Sequence, residues 1–307
     1  MDDTTKLTIR PAHELLEAAA EPQPFLLAPI LGPGCAALIY GPAGVGKSFL
    51  ALGLALAAAG GGRFLGWTAP RPHNVLYLDG EMRREAVAER LRLLGPPPPA
   101  LRMWLATEQA GSALDLATED GIVRLVANWR EVDIDLIVID SLSSLAGTTG
   151  DDPERWSELR QFLDFQRHMG RAVVLVHHAN RDGAMRGISR RADAMDLIMA
   201  LRRPRDWQPA DGARFELHLE KARHLTGPGL APIEAQLCPA ADGRAEWRWH
   251  QGESATLRRA AALLQQGMSA EAVGKAIGVS PRTAYRLQRR TRELGWIVRT
   301  SDYGSEG

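Results

Sequence analysis

The chain is poor in cysteine. Cys35 and Cys238 are the only two, far apart and without metal-ligand spacing around them. That argues against a disulfide framework or a cysteine-based metal site and leaves two small hydrophobes in a reducing compartment. Net charge is missing as well: 37 Lys and Arg balance 37 Asp and Glu. No global field steers such a chain to nucleic acid, so contact with it must come from local patches. Long apolar runs are absent. Met1 to Arg10 is polar and has no signal-like core, and the longest apolar stretch, Phe49 to Ala59, is too short to span a bilayer. The expectation is a cytoplasmic protein without a membrane partner.

What is present is a glycine-rich loop in a telling place. Gly41-Pro42-Ala43-Gly44-Val45-Gly46-Lys47-Ser48 follows the apolar run Ala36–Tyr40 and precedes the helical stretch beginning at Phe49. A strand, this loop and a helix together make a phosphate-binding loop, and they mark a nucleoside triphosphatase. Glycines let the backbone wrap phosphates with N–H groups inward, and the helix start adds its positive end. Gly41 to Phe49 is therefore the expected ATP-binding segment, with Lys47 on the β- and γ-phosphates and the Ser48 hydroxyl on Mg²⁺.

At 307 residues the chain has room for one large α/β domain and a small appendage. Short continuous apolar runs at Val75–Leu78, Leu136–Ile139 and Ala172–Val176 read as buried parallel strands. Leu101–Ala106, Leu197–Leu201 and Phe215–Glu220 read as further strands. Helices are expected over Ala12–Ala20, Glu85–Leu94, Asp120–Val132 and Trp156–Met169. This alternation predicts an α/β fold with a largely parallel sheet covered on both faces, its ligand at the carboxyl ends of the strands. The expected organisation is an arm over 1–26, an ATPase domain over 27–250 and a small helical domain over 253–307.

Hydrolysis also needs a metal-holding acid and a group that orients water. Asp140 ends the strand Leu136–Ile139, which places it beside Ser48; the alternative is an Asp that caps the following loop. Glu81, three residues beyond Leu78, is the expected base, with Asp79 on the same loop as the alternative. His177 and His178 end another strand, and His178 is the expected γ-phosphate sensor. Asn180 to Arg191 carries Arg181, Arg186 and Arg190 among glycines, as a basic loop that grips a phosphate backbone does. Lys221 and Arg223 follow a strand and are placed to reach a neighbouring subunit's γ-phosphate.

These segments together resemble a RecA-like ATPase, and more closely the RepA-type plasmid replicative helicases and their AAA-family relatives in mobile elements. The features that carry the resemblance are G-P-A-G-V-G-K-S, V-L-Y-L-D-G-E, L-I-V-I-D-S and V-V-L-V-H-H-A-N, in family order, within Leu27 to Pro239. The resemblance implies Glu81 as catalytic base, Asp140 as the Mg²⁺-site acid, His178 as sensor and Lys221-Ala222-Arg223 as a finger acting across a subunit interface. It further implies a hexameric ring with single-stranded DNA in its channel, gripped by loops at Leu145–Pro153 and Asn180–Arg191. The first loop holds Asp151 and Asp152, with Glu154 directly after it, a departure from a DNA grip. The tail is a second departure.

Composition shifts near Gln251. From Glu253 to Gly307 there are nine Arg and Lys against five Asp and Glu, a surplus of four. Thr256–Gln265, Ala270–Ile277 and a helix opened by Pro281 read as a helix-turn-helix, with Ser269 and Ser280 as N-caps. Arg282, Thr283, Arg286 and Arg289 are its expected contacts to duplex DNA, and Leu294–Val298 a small wing. The expected function is a Mg²⁺-dependent ATPase on DNA, a helicase-like oligomeric motor. The alternatives are an ATP-controlled DNA-binding regulator and a recombination or repair accessory.

Overall fold

The computed structural model describes residues 9–14, 24–111, 113–129, 133–147, 153–179, 192–252, 255–294 and 296. In chain order, the first half contains β1 (Ala36–Gly41), α1 (Lys47–Gly60), β2 (Arg63–Phe64), β3 (Trp67–Thr68), β4 (Val75–Asp79), α2 (Arg84–Leu94), β5 (Leu101–Leu105) and α3 (Glu119–Trp129). Then come β6 (Leu136–Asp140), α4 (Leu142–Leu145), α5 (Pro153–His168), β7 (Ala172–His178), β8 (Leu197–Arg202), β9 (Arg214–Ala222), β10 (Ile233–Pro239) and β11 (Ala245–Gln251). Three helices follow: α6 (Ala255–Gln265), α7 (Ala270–Ile277) and α8 (Pro281–Glu293).

Nine strands form one sheet in the order β11-β10-β9-β8-β1-β7-β6-β4-β5. From β8 to β5 all neighbours are parallel, whereas β9, β10 and β11 are antiparallel. The mostly parallel α/β class expected from the sequence is the one observed. β9 turns back because no crossover helix separates it from β8; a parallel return requires one. The strands of the parallel half alternate between two buried layers. Ala37 and Ile39 join Leu50, Leu54, Tyr77 and Val174 on one face, while Leu38 and Tyr40 join Phe162, Leu163 and Ile139 on the other. Each fully buried Leu or Ile contributes about 1.5–3 kcal/mol. Cys35 lies in the first layer, where burial and then Asp196 push its thiol up to about 12. Among the described residues no helix is long and apolar enough to cross a membrane.

The helical tail packs on its own small core of Ala260, Val273 and Ile277, with Leu287 against it. Both expected caps form: Ser269 Oγ accepts from the Ala272 amide and Ser280 Oγ from the Thr283 amide. The tail meets the sheet half through the β8–β9 segment. Asp206 Oδ1 accepts from the Thr256 hydroxyl at 2.8 Å and from Arg214 at 3.0 Å. Arg214 also bonds Glu234 and Asp211. Burial works against its charge, but Glu234, Asp211 and Asp206 outweigh this and hold the guanidinium above its usual value. Arg214→Ala would take the guanidinium from Asp206 and Glu234, 7% and 6% exposed, leaving Asp206 the Thr256 hydroxyl and Glu234 the His250 ring at 3.8 Å. The expected cost is about 3–5 kcal/mol in urea unfolding; a loss below about 1 kcal/mol would rule out a structural hub.

The structure departs from sequence expectation at several elements. β2, β3, β10 and β11 were not expected. α5 starts at Pro153 instead of Trp156, because Pro fits the first helical turn and Glu154 favours its positive end. The expected helix over Ala12–Ala20 and the wing over Leu294–Val298 lie largely outside the described residues, as do Arg181, Arg186, Arg190 and the Asp151-Asp152 pair.

Candidate active site

Four neighbouring strands deliver the expected residues to one end of the sheet. β1 ends at Gly41, β7 at His178, β6 at Asp140 and β4 at Asp79. The loop after β1 needs its glycines locally. A Cβ on Gly41 would lie 2.6 Å from the Leu201 carbonyl oxygen, and Gly46 caps α1 at φ 113°, in the left-handed region.

The Lys47 ammonium lies at the base of this loop. It donates to the carbonyls of Gly41 and Pro42, both at 2.9 Å, and contacts His178 Nδ1 at 3.2 Å. Burial lowers its pKa to about 8, with Asp140 and Glu81 opposing that shift. Because the ammonium donates to Nδ1, the proton of a neutral His178 ring belongs on Nε2, which faces Glu81 Oε1 at 3.5 Å. The Ser141 hydroxyl donates to the same Glu81 oxygen at 2.5 Å. Lys47, His178, Glu81 and Ser141 thus form one connected chain of contacts. Phe49, at the end of the loop segment, lies under the Arg90 guanidinium, 4.9 Å from the ring centre.

Asp140 is buried, and Tyr77 donates to its Oδ2 at 2.7 Å. Burial raises its pKa; hydrogen bonds from Tyr77 and Ser48 pull it down, while Asp79 and Glu81 push it up. Asp79 Oδ1 accepts from the amides of Glu81 and Met82 at 2.9 and 2.7 Å, so it is committed to shaping the turn that presents Glu81. Its Oδ2 is buried without a hydrogen-bond partner. Among the described residues no cluster of three or more His, Cys, Asp or Glu is arranged to hold a metal ion alone. The donor set nevertheless fits a divalent cation delivered with a nucleotide: the Ser48 hydroxyl and the desolvated Asp140 beside it, both oxygen donors.

Lys221 and Arg223 lie elsewhere. β9 runs antiparallel to β8, with Leu197 paired to Ala222, so its end is next to the start of β1. That is about 16 Å along the strand from the chain's own phosphate loop. There Lys221 bonds the Ala192 carbonyl at 2.5 Å, and Arg223, half-exposed, pairs with Asp196 at 3.2 Å.

In the tail, Arg282, Arg286 and Arg289 are exposed. Thr283 departs from its expected role as a DNA contact. It is 7% exposed, and its Oγ1 accepts from Arg205 at 2.6 Å and lies 3.0 Å from Ser280 Oγ. Tyr77, Ser141, Arg203 and Arg205 were not singled out as functional by sequence. Arg203 stacks on Trp207 at 4.2 Å and donates to the Ala43 carbonyl of the phosphate loop at 3.2 Å. The one signal for the last two was the run Arg202-Arg203-Pro204-Arg205 at a strand end.

Comparison with known families finds two matches. Residues 4–184 match the AAA domain, and residues 254–295 match a homeodomain-like domain. No curated protein matches the chain.

Proposed function

We propose, from the premise that the chain belongs to the AAA-domain family, that it is a Mg²⁺-dependent ATPase acting on DNA as an oligomeric, helicase-like motor of the RepA type. The observation that carries ATP hydrolysis is the contact chain Lys47–His178–Glu81–Ser141 beside Asp140. Lys47 draws charge off the β- and γ-phosphates, Glu81 orients and deprotonates the attacking water, and His178 links the two. Ser48 and Asp140 would hold the cation, which supplies charge neutralisation at the phosphates.

Oligomerisation is supported by the position of Arg223 and Lys221. They are too far from their own loop to serve it, and Arg223 is half-exposed, as reaching a neighbour's loop requires. A closed ring, a hexamer in this reading, brings that edge to the next subunit's phosphates and encloses single-stranded DNA. The organisation follows: residues 27–250 hydrolyse ATP, and residues 253–307 bind duplex DNA.

One observation favours a second reading, a DNA-bound regulator under ATP control. Arg203 touches the phosphate loop and, two residues on, Arg205 touches the third helix of the tail. ATP turnover measured alone, with single-stranded DNA and with duplex DNA separates the two. Strong stimulation by single strands of any sequence is expected of the motor. Stimulation by particular duplexes alone, or by neither DNA, would favour the regulator, and no turnover under any of the three conditions would refute the ATPase reading.

A further inference from the structure

We infer that the cleft between α8 and the β8–β9 segment holds the phosphate backbone of duplex DNA, with Arg205 as a phosphate ligand beside Arg282, Arg286 and Arg289. The inference rests on the DNA-associated ATPase reading above and adds a DNA contact from outside the tail.

The cleft measures about 640 Å³ and is lined by Arg205, Arg282, Thr283, Tyr285, Arg286 and Arg289. Among the described residues no carboxylate lines it. Arg282, Arg286 and Arg289 stand at i, i+4 and i+7 and so share one face of α8, spaced over about 10 Å of helix. Arg289 pairs with Glu293 at 3.5 Å. Among the described residues, Arg282, Arg286 and Arg205 have no carboxylate within salt-bridge distance. Four like charges around one space repel each other, and a polyanion offsets that repulsion. A row of this length suits several phosphates of a backbone better than one small anion.

Arg205 is held for this task. Its Nη1 donates to Thr283 Oγ1 at 2.6 Å, and Thr283 is itself anchored at the Ser280 cap. One N–H of the fork is thereby used, and the others remain to bind a phosphate with planar, paired geometry. Thr283 acts as a positioning residue that aims an arginine from the sheet half of the molecule. Asp206, bonded to both Arg214 and Thr256, fixes the segment on either side of the junction.

The test uses the full-length protein and a fluorescently labelled mixed-sequence duplex, with anisotropy read across a salt series. Arg205→Ala is expected to weaken binding roughly tenfold at about 0.1 M salt and to lower the slope of log Kd against log salt by about 1. A second duplex of unrelated sequence should show the same loss, since a phosphate contact carries no sequence information. Arg205→Gln keeps a donor for Thr283 without the charge and should behave like Arg205→Ala, whereas Arg205→Lys should retain the slope. Melting curves confirm that each variant is folded. Unchanged affinity and slope in a folded Arg205→Gln would overturn the inference while the wild type still bound duplex. Tighter binding would overturn it too, because the segment would then be occluding α8. A wild type that turns over ATP yet binds no duplex would refute the DNA part of the proposed function, and this inference with it.

Discussion

Lys47→Ala is expected to abolish ATP turnover, with a fall in kcat of about 100-fold or more. Lys47 is 5% exposed, and its ammonium lies 2.9 Å from two loop carbonyls and 3.2 Å from His178. A cation kept this far from water interacts more strongly with a phosphate charge than a surface lysine does, because less solvent screens it. Burial has already lowered its pKa to about 8, and Asp140 and Glu81 are the groups that counter the shift. The site therefore holds a positive charge at a desolvation cost, with carboxylates close by. Anionic phosphates arriving at the loop favour the charged form in the same way. Alanine removes the charge and leaves the glycine-shaped backbone intact, so circular dichroism and the melting transition should stay near wild type. Turnover within about threefold of wild type in a folded variant would mean that the loop does not serve hydrolysis.

Much of this site was legible in the sequence, for a definite reason. Val75–Leu78, Leu136–Ile139 and Ala172–Val176 are buried on both faces, so their apolar runs are uninterrupted, and the polar residues that follow them fall at strand ends. Asp79, Asp140 and His178 occupy those ends, and Glu81 stands two residues beyond Asp79. The caps of α7 and α8 were equally clear, because Ser269 and Ser280 act on amides three residues away. Pairings across the fold were not legible. The Tyr77–Asp140 bond joins residues 63 positions apart on adjacent strands, and Arg205–Thr283 joins residues 78 apart. No local pattern announces either. β11 was missed for a different reason. In the sequence Ala-Glu-Trp-Arg-Trp-His-Gln, Ala245, Trp247 and Trp249 alternate with Glu246, Arg248 and His250, so the signal of a half-solvated edge strand was present but short and next to the tail's composition shift. The direction of β9 depends on what lies between it and β8, a segment of arginines and a short turn where a crossover helix would otherwise be.

Glu81→Gln should separate binding from hydrolysis. Nucleotide affinity, read with a fluorescent ATP analogue, is expected to stay close to wild type, while kcat falls by about 10²–10⁴. The amide preserves the shape of the side chain and can still accept the Ser141 hydroxyl, which lies 2.5 Å from Oε1. What it loses is the capacity to take a proton from water. Asp79→Asn is the matching control. Asp79 Oδ1 accepts from the amides of Glu81 and Met82, and an asparagine oxygen does the same, so the turn survives. If Glu81 is the base, Asp79→Asn keeps a large share of turnover; if the two variants exchange these phenotypes, Asp79 is the base. His178→Ala refines the assignment further. Its ring touches Lys47 on one side and Glu81 on the other, so its loss should lower kcat by less than Glu81→Gln does while disturbing both neighbours. Combining His178→Ala with Glu81→Gln should then cost little beyond Glu81→Gln alone, since residues that act as one unit are not additive. Full additivity of the two losses would mean that His178 acts on the phosphate independently of Glu81.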